Sequence, residues 1–479
     1  MEKDYSKYFT PSLKDARKRI NKETEVINYD LKPTQVGIGK NYKYMIKTYG
    51  CQGNLADSEK MSGILEAMGY VVTEDETQAD LLLLNTCAIR ENAENRVFGE
   101  LGRLKRLKKN NPNMLLGICG CMPQEEKVTT RIREKMPYVD LVFGTHNIAY
   151  LGSYVEQAVH CLERVIEVYS KEGEIIENIP TKRDHTKKAW VNIVYGCDEF
   201  CTYCIVPYTR GKERSRKPES ILAEVDELIK DGYLEVTLLG QNVNAYGKDF
   251  TDSNYTFANL LDDLHKLPIE RVRFTTSHPK DLDDATMEVM AKGGNIMPHL
   301  HLPVQSGSNN ILKKMNRKYT YEEYMDKITK LRKLIPDISI TTDIIVGFPR
   351  ETQEEFEETL KLVKNADFEG AFTFIFSPRE GTPAAKYVDE TPEPIKKERL
   401  LYLNKRVNEG FLKGNLRFEG RIVKVLVDGF SKSNESVLAG YTEHNKLVNF
   451  VGDESRIGKI VEVKIKKAFT WHLQGEALE

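Results

Sequence analysis

Three cysteines lie close together in the segment YGCDEFCTYCIVP, with the spacing Cys-x3-Cys-x2-Cys: Cys197, Cys201 and Cys204, the late trio. Thiolates are soft ligands that select zinc, copper or iron–sulfur clusters. A structural zinc site takes four ligands and usually has two Cys-x2-Cys pairs, and no fourth Cys or His follows here at such a distance. The spacing therefore favours a 4Fe–4S cluster with one iron free for a small molecule. A zinc knuckle and three structural thiols are the alternatives.

Four further cysteines lie at the ends of predicted strands in the first part of the chain. Cys51 follows the strand YKYMIKTYG, Cys87 follows DLLLLNT, and Cys119 and Cys121 follow MLLGI. The carboxyl ends of parallel strands meet at one edge of a sheet, where ligand sites form. Thiols from three strands are therefore expected to converge there and to hold a second cluster. The alternative is that each cysteine is a small buried hydrophobe.

Only one cysteine of the third strand is needed for such a site. Cys119 still belongs to the strand, whereas Cys121 lies past Gly120 in the loop before the next helix. We therefore predict an early trio formed by Cys51, Cys87 and Cys121. The remaining cysteine, Cys161, lies among apolar residues of a helix and is predicted to be a buried structural thiol.

The elements that must position these thiols follow from hydrophobic periodicity. Short apolar strands alternate with amphipathic helices through most of the chain, which predicts an α/β protein with parallel sheets. Near residue 420 the pattern changes to short β-rich segments separated by Gly, Asn, Ser or Asp, which is typical of a small barrel. We expect an N-terminal extension (1–40), a parallel-sheet α/β domain (41–165), a charged linker (166–185), a partial (β/α)6 barrel (186–411) and a small antiparallel, OB-like β-barrel (412–475).

Composition limits the class of protein. The 479 residues are 40% hydrophobic and 30% charged, with a net charge of −2, so a global basic signature for nucleic acid is absent. The sequence has no apolar stretch near the ~18 residues of a membrane helix, and the start MEKDYSKYFT is no secretory signal. We therefore expect a cytoplasmic protein that does not contact a membrane, with its eight cysteines reduced or bound to metal.

The two trios, the barrel-like middle and the small C-terminal β domain occur together in the radical S-adenosylmethionine (SAM) methylthiotransferases, which the chain resembles over roughly residues 42–475. The early trio matches the family's auxiliary-cluster motif. The late trio, with Tyr203 before its last cysteine, matches the radical SAM motif, and residues 412–475 resemble the RNA-binding TRAM domain. Four strings resemble the tRNA-modifying branch: GQNVNAYG (240–247), TTSHP (275–279), LPVQSGS (302–308) and NKLVNF (445–450).

The resemblance implies methylthiolation at C2 of N6-isopentenyladenosine at position 37 of tRNA. It implies two 4Fe–4S clusters and SAM, since the cofactors must perform a C–H cleavage that no side-chain acid or base can perform. The late-trio cluster would cleave SAM, the early-trio cluster would supply sulfur, and a second SAM would supply the methyl group. We expect no catalytic side chain beyond the cluster ligands.

Other substrates are the alternatives within the family. Some relatives act on threonylcarbamoyl-adenosine in tRNA and others on an aspartate of a ribosomal protein, and both are expected to differ in the QNVNAYG string. A non-enzymatic RNA-binding protein with structural zinc is a more remote alternative. The partners implied are a tRNA anticodon stem-loop carrying N6-isopentenyladenosine and an electron donor such as flavodoxin or ferredoxin, with the enzyme acting as a monomer.

The contacts to SAM and RNA are predicted from strand ends and local charge. SAM is expected at the carboxyl ends of the barrel strands, and the candidates there are Gly240, Gln241, Gln305, Ser306 and Gly347. The segment RGKERSRK (210–217) is predicted either to contact phosphate through Arg210, Lys212, Arg214 and Arg216 or to be a solvated basic loop. Aromatic candidates for stacking on RNA bases in the small barrel are Phe430, Tyr441, Phe450, Phe469 and Trp471.

Overall fold

The computed structural model describes residues 12–88, 91–161, 163–168, 174–183, 187–432 and 434–478. Within its described residues, 12–40, the predicted N-terminal extension contains one short α-helix, α1 (Leu13–Lys18), and one short strand, β1 (Glu25–Asn28). Helix α1 begins after Ser12, whose hydroxyl accepts a hydrogen bond from the Asp15 N–H, as an N-cap residue does. Residues 1–11 of the predicted extension lie outside the described residues.

The N-terminal domain is built on six parallel strands in the order β3-β2-β4-β5-β6-β7. Its elements are β2 (Lys43–Tyr49), α2 (Gln52–Ala67), β3 (Val71–Val72), β4 (Leu81–Thr86), α3 (Glu91–Asn110), β5 (Leu115–Gly120), α4 (Glu126–Lys135), β6 (Leu141–Gly144), α5 (Leu151–Cys161) and β7 (Val165–Glu167). Strand β4 is buried along its whole length, because helices cover both faces of the sheet. Leu82 and Leu84 pack into one core and Leu81 and Leu83 into the other. The predicted parallel-sheet domain is confirmed.

Among the described residues of the segment predicted as a linker (166–185), the end of β7 and the whole of one further strand are found. Strand β8 (Glu174–Glu177) pairs in parallel with β1 and forms a two-stranded sheet with it. It is short and lies in a charged stretch, so no strand pattern is apparent, and its partner is about 150 residues away along the chain. Pairing over such a distance cannot be predicted from local periodicity.

The central domain has six parallel strands in two three-stranded sheets, β13-β12-β9 and β14-β15-β16. A parallel bridge joins Val272 of β13 to Ile296, three residues before β14, and brings the two sheets side by side as one partial barrel. The strands and helices in chain order are β9 (Lys188–Asn192), β10 (Val194–Tyr195), α6 (Val206–Thr209), β11 (Arg214–Ser215), α7 (Pro218–Lys230), β12 (Glu235–Leu239), α8 (Phe257–His265), β13 (Arg271–Phe274), α9 (Asp284–Ala291), β14 (His299–His301), α10 (Asn309–Lys314), α11 (Tyr321–Leu334), β15 (Ser339–Val346), α12 (Gln353–Ala366), β16 (Gly370–Ile375) and α13 (Glu393–Leu416).

The strands β10 and β11 form an antiparallel ribbon after the first barrel strand. Val194 pairs with Ser215 and Tyr195 with Arg214, so residues 196–213 form a loop that is closed at its base. All three cysteines of the late trio lie in this loop. The ribbon therefore fixes the loop at the carboxyl end of β9.

Five strands close into the C-terminal barrel in the order β17-β18-β19-β21-β20. They are β17 (Ile422–Ser431), β18 (Asn434–Thr442), β19 (Leu447–Val451), β20 (Ile460–Ala468) and β21 (Leu473–Ala477). The prediction of a barrel is confirmed, although one pair of strands, β19 and β21, is parallel. A closed ring with an odd number of strands cannot alternate direction throughout, so at least one parallel pair is required.

The small barrel docks at the amino ends of the central strands. Arg271, the first residue of β13, donates to the Tyr441 carbonyl at 2.9 Å, and Arg273 donates to the Thr442 carbonyl at 2.7 Å. Lys188, the first residue of β9, pairs with Asp428 at 2.5 Å. The late-trio loop and the small barrel are therefore at opposite ends of the central strands. Across the described residues, the helices are all too short or too polar to span a membrane.

Candidate functional site

The early trio lies at the carboxyl ends of three neighbouring strands. Cys51 follows β2 and is the N-cap of α2, Cys87 follows β4, and Cys121 follows β5. The Cys87 N–H donates to the Tyr49 carbonyl at 3.0 Å and the Cys121 N–H to the Thr86 carbonyl at 2.8 Å, so the strand ladder continues up to the thiols. The structure therefore brings the three predicted cysteines to one edge of the sheet.

Hydrogen bonds favour a thiolate at Cys51. The pKa of Cys51 lies well below its usual range, first because its sulfur is within hydrogen-bond reach of Cys87, and then because of the positive charge of Arg210 and the backbone N–H groups of Gly53 and Asn54. At Cys121 burial raises the thiol pKa, and this effect outweighs the lowering by the charge of Arg210. One thiol of the early trio is thus prepared for ligation, and a metal must displace the proton of Cys121.

Gly120 separates Cys121 from Cys119. Its φ is +98°, and an added Cβ would lie 2.3 Å from the Thr86 carbonyl oxygen, so only glycine fits this turn. The turn leaves the Cys119 sulfur in the core, 3.6 Å from the Met61 sulfur. This location agrees with the choice of Cys121 as the third member of the early trio. Cys161, by contrast, is exposed at the end of α5, so the prediction of a buried thiol there is wrong.

A buried arginine from the central domain contacts the early trio. The Arg210 Nε–H donates to Cys121 Sγ at 3.2 Å, and its Nη2 donates to Asp57 Oδ2 at 2.8 Å. Asp57 lies on α2, the helix that begins after Cys51. Arg210 lies six residues after Cys204 in sequence, so one short segment connects the late-trio loop with the early trio.

Hydrogen bonds from neighbouring segments hold the late-trio loop in place. The Cys197 N–H donates to the Gly211 carbonyl at 3.1 Å, and the Cys204 N–H donates to the Cys201 carbonyl at 3.0 Å. Asn316 donates from its side-chain amide to the carbonyls of Glu199 and Phe200, at 3.1 and 2.9 Å. The backbone between the cysteines is therefore fixed before any ligand binds.

Burial keeps the thiols of Cys197 and Cys204 protonated in the protein alone. It raises the pKa of Cys197 well above its usual range and the pKa of Cys204 to about 12. Arg317 Nη1 lies 3.5 Å from Cys201 Sγ, with its other nitrogens bonded to the Pro303 carbonyl and the Tyr319 hydroxyl. Binding of a metal centre would supply the positive charge that deprotonation requires.

The two trios border one buried cluster of side chains. Cys121 of the early trio and Phe200 of the late-trio loop both belong to it, together with Ala88, Ile205 and Tyr208. Ala16 of α1 packs into the same cluster, and the Arg17 guanidinium lies 5.6 Å from the Phe200 ring centre. The early and late sites are therefore neighbours.

The donor sets fit iron–sulfur clusters. Among the residues described, no three His, Cys, Asp or Glu side chains are grouped closely enough to hold a single metal ion. A 4Fe–4S cluster requires a wider arrangement, because each thiolate binds a different iron. Each trio offers three thiols and one guanidinium N–H close to a sulfur, at Cys121 and at Cys201. Thiolates with hydrogen-bond donors are the surroundings that such clusters need.

The five candidates for SAM binding all follow the carboxyl ends of barrel strands. Gln241, next to Gly240, accepts a hydrogen bond from the Gly196 N–H at 2.6 Å and so supports the late-trio loop. Gln305 has a φ of +72° and bridges to Ile344.

Ser306 and Gly347 are held by hydrogen bonds that account for their positions. The Ser306 hydroxyl lies 3.3 Å from the Thr359 hydroxyl, and the Gly347 N–H donates to Glu351 at 2.7 Å. Turn geometry accounts for these two residues, and Gly240, Gln241 and Gln305 remain the better candidates for SAM contact.

Residues 210–216 of the basic segment are buried, so both predictions for its four named cations are wrong. Arg210, Lys212, Arg214 and Arg216 are only 5–8% exposed. Arg216 pairs with Glu177 and Glu224, Arg214 donates to the Glu174 carbonyl, and Lys212 donates to the Lys22 carbonyl. These contacts hold the end of the late-trio loop and the residues after it against β8 and α2. The charges therefore do not form a phosphate-binding surface.

The aromatic residues of the small barrel differ in exposure. Phe450 is 2% exposed and belongs to the barrel core. Trp471 is 63% exposed, with its ring centre 4.9 Å from that of Phe411 on α13. Phe430 is also exposed, and Phe469 stacks on His472. Trp471 is therefore the best placed of the five to stack on a base.

Several residues that support the early trio have only a weak signal in the sequence. Asn54 accepts from the Cys51 N–H at 3.3 Å and donates to Asn85, which donates in turn to the Ser58 hydroxyl at 2.9 Å. Asn54 and Asn85 are fully buried. Buried amides beside predicted ligands are a weak sequence signal, and only the structure shows that Asp57 and Arg210 join them.

Three family models match this chain. The Radical SAM superfamily matches residues 191–363, the uncharacterized protein family UPF0004 matches residues 43–144, and the TRAM domain matches residues 416–478. Together they cover the early trio, the late trio and the small barrel.

Curated relatives match over nearly the whole chain. The tRNA-2-methylthio-N(6)-dimethylallyladenosine synthase of Bacillus subtilis is 58% identical over 482 residues, which cover 99% of this chain and 94% of the relative. The enzyme of the same name from Bacillus cytotoxicus is 58% identical, and the match covers 100% of this chain and 95% of that enzyme. Among solved structures, the radical SAM methyltransferase TsrM from Kitasatospora setae is similar in fold, with a TM-score of 0.51 and 13% identity over 72% of this chain and 77% of that one.

Proposed function

This chain belongs to the family of tRNA-2-methylthio-N6-dimethylallyladenosine synthases, and on that basis we propose that each of its two trios binds one 4Fe–4S cluster. The early trio binds the auxiliary cluster and the late trio binds the radical SAM cluster. The reaction is the methylthiolation of C2 of N6-isopentenyladenosine at position 37 of tRNA, with SAM as cosubstrate.

The clusters and SAM together supply the one-electron chemistry that breaks an unactivated C–H bond and adds sulfur and a methyl group. The chain's own residues hold these groups and exclude water. The Cys51 thiolate is favoured by its neighbours, the Asn316 amide fixes the loop between Cys197 and Cys201, and Gln241 supports the start of that loop. Gly240, Gln241 and Gln305 are the residues we assign to SAM.

One observation carries the proposal: Cys121 and Phe200 pack in the same buried cluster, although 79 residues separate them in sequence. Two sites that must act on one base have to be neighbours, and this packing makes them neighbours. Two independent structural zinc sites would require no such contact. The contact therefore supports one reaction centre served by both trios.

The partners follow from the chemistry. The reaction consumes electrons one at a time, so we propose a small redox protein such as flavodoxin or ferredoxin as the donor. All six thiols come from one chain, which supports a monomeric enzyme, and its tRNA substrate supports a cytoplasmic location.

The test is nucleoside analysis of tRNA from a strain that lacks this gene. We expect N6-isopentenyladenosine to accumulate without its 2-methylthio derivative, and the parent gene to restore the derivative. Genes carrying Cys87→Ala or Cys201→Ala should not restore it. A cell whose tRNA keeps the 2-methylthio group without the gene, in the absence of a second such enzyme, would contradict the proposal.

A further inference from the structure

The segment that follows the late trio ends in a buried side chain directed at the early trio. After Cys204 the chain forms the single turn α6 and then reaches Arg210, whose backbone N–H donates to the Val206 carbonyl at 2.8 Å. The Thr209 carbonyl accepts from the side chains of Gln124 and Thr145, which belong to the N-terminal domain. The backbone that leads to Arg210 is therefore fixed against the early site.

The guanidinium of Arg210 contacts two side chains of the N-terminal domain through two of its nitrogens. Its Nε lies 3.2 Å from Cys121 Sγ and its Nη2 lies 2.8 Å from Asp57 Oδ2. A Cβ added to Gly53 would lie 3.6 Å from both the Arg210 guanidinium and Cys51 Sγ, so the charge is also close to a second thiol of the early trio. The side chains of Arg210 and Asp57 are only 10% and 7% exposed.

Resting on the proposed function, we propose that Arg210 is a positioning residue that raises the reduction potential of the auxiliary cluster. The potential of an iron–sulfur cluster depends on its net charge, on hydrogen bonds to its sulfurs and on exposure. Arg210 acts on the first two, because it places an N–H on one ligand sulfur and a positive charge beside two ligands. Both effects stabilise the more negative, reduced cluster. Asp57 reduces this effect, since its negative carboxylate pairs with the same guanidinium.

A purely structural ion pair makes a different prediction. If Arg210 and Asp57 only join the two domains, then removing either partner breaks the same bond, and both changes act in the same direction. If Arg210 tunes the cluster, Arg210→Gln lowers the potential, whereas Asp57→Asn leaves the guanidinium uncompensated and raises it. The sign of the shift therefore separates the two roles.

The experiment uses the full chain with Cys197, Cys201 and Cys204 all changed to Ala, so that only the early trio can bind a cluster. The reduction potential is measured by electron paramagnetic resonance during redox titration, after anaerobic reconstitution with iron and sulfide. Arg210→Gln is expected to change the one-electron equilibrium at least tenfold toward the oxidised form, which corresponds to a potential lower by about 59 mV. Asp57→Asn should shift it the opposite way, and Arg210→Lys should fall between the parent and Arg210→Gln.

Arg216→Gln is the matched control. Arg216 lies in the same segment, is equally buried and pairs with Glu177 and Glu224, so its loss should leave the potential unchanged. An unchanged potential in Arg210→Gln, or shifts of the same sign in Arg210→Gln and Asp57→Asn, would overturn the proposal. Loss of the cluster from both Arg210→Gln and Arg210→Lys would also overturn it, because the arginine would then be needed for binding. Failure of the parent to bind about four irons would instead contradict the proposed function.

Discussion

Cys119 and Cys121 are two residues apart, yet their sulfur atoms have different surroundings. Cys119 Sγ lies 3.6 Å from Met61 Sδ in the core below the sheet, and Cys121 Sγ lies 3.2 Å from Arg210 Nε at the sheet edge. Two residues apart on a regular strand, both side chains would face the same side. The left-handed turn at Gly120 directs only Cys121 toward the early site.

This difference predicts opposite consequences for two similar substitutions. Cys121→Ala should lower the iron content of the reconstituted enzyme from about eight to about four per chain, as expected when one of two thiolate-ligated 4Fe–4S clusters is lost, and leave the fold intact. Cys119→Ala should retain the iron and lower the free energy of unfolding by about 1–2 kcal/mol, because it removes a buried core side chain. Iron analysis and thermal unfolding of both variants are the measurements. Full iron in Cys121→Ala together with loss in Cys119→Ala would reverse the assignment.

Gly120→Ala is expected to disturb the early site through the backbone. The new Cβ would lie 2.3 Å from the Thr86 carbonyl and 2.6 Å from Asn85 Oδ1, at a φ that alanine adopts only with strain. We expect a loss of about 2 kcal/mol or more in stability and reduced iron binding by the early trio.

Gly102→Ala is its control. Gly102 lies within α3 with open space around it, so alanine there should stabilise the helix by up to about 1 kcal/mol without affecting iron. A Gly120→Ala variant with parental stability and iron content would show that the turn does not position Cys121.

The small barrel should bind RNA through an exposed aromatic residue. Trp471→Ala is expected to weaken binding of an anticodon stem-loop carrying N6-isopentenyladenosine by about 1–3 kcal/mol, the usual effect of removing one stacking partner, with little change in stability. Phe450→Ala, in the barrel core, should instead destabilise the protein by about 3–5 kcal/mol. Fluorescence anisotropy of labelled RNA measures the first effect. Parental affinity in Trp471→Ala would exclude this residue from the RNA surface.

His444 predicts a pH dependence of stability. It lies between the two barrels, with Nε2 3.1 Å from Asp337 and its ring against Phe418. Burial lowers its pKa to about 4, an effect that Asp337 opposes only in part. The unfolded chain therefore binds a proton more readily between pH 6.5 and about 4, so stability is complete above pH 6.5 and falls as the solution becomes more acidic. The loss is at most about 3 kcal/mol.

The measurement compares denaturant unfolding of the parent and His444→Gln from pH 7.5 to 4. The variant lacks the titrating ring, so its stability should fall less steeply in this window. Equal slopes for the two proteins would contradict a neutral, buried His444.

Much of this arrangement follows from local sequence. The early trio was predictable because its cysteines follow apolar strands, and parallel strands end at one edge. The late trio was predictable from its spacing alone. Arg216 shows the limit: in a run of basic residues it resembles a phosphate contact, but Glu177 and Glu224 come from other elements and bury it. The same holds for Arg210, whose partners Asp57 and Cys121 are distant in sequence. A run of basic residues in the sequence does not show whether their side chains reach solvent, because that depends on tertiary contacts with residues distant in sequence.

The most direct test of the two-cluster assignment compares two triple variants of the full-length enzyme, one with the early trio changed to Ala and one with the late trio changed to Ala. Each should bind about four irons, half the number expected for two thiolate-ligated 4Fe–4S clusters. The early-trio variant should cleave SAM to 5′-deoxyadenosine but form no methylthio product on tRNA, and the late-trio variant should do neither. Methylthiolated tRNA from the early-trio variant, or SAM cleavage to 5′-deoxyadenosine by the late-trio variant, would contradict the assignment.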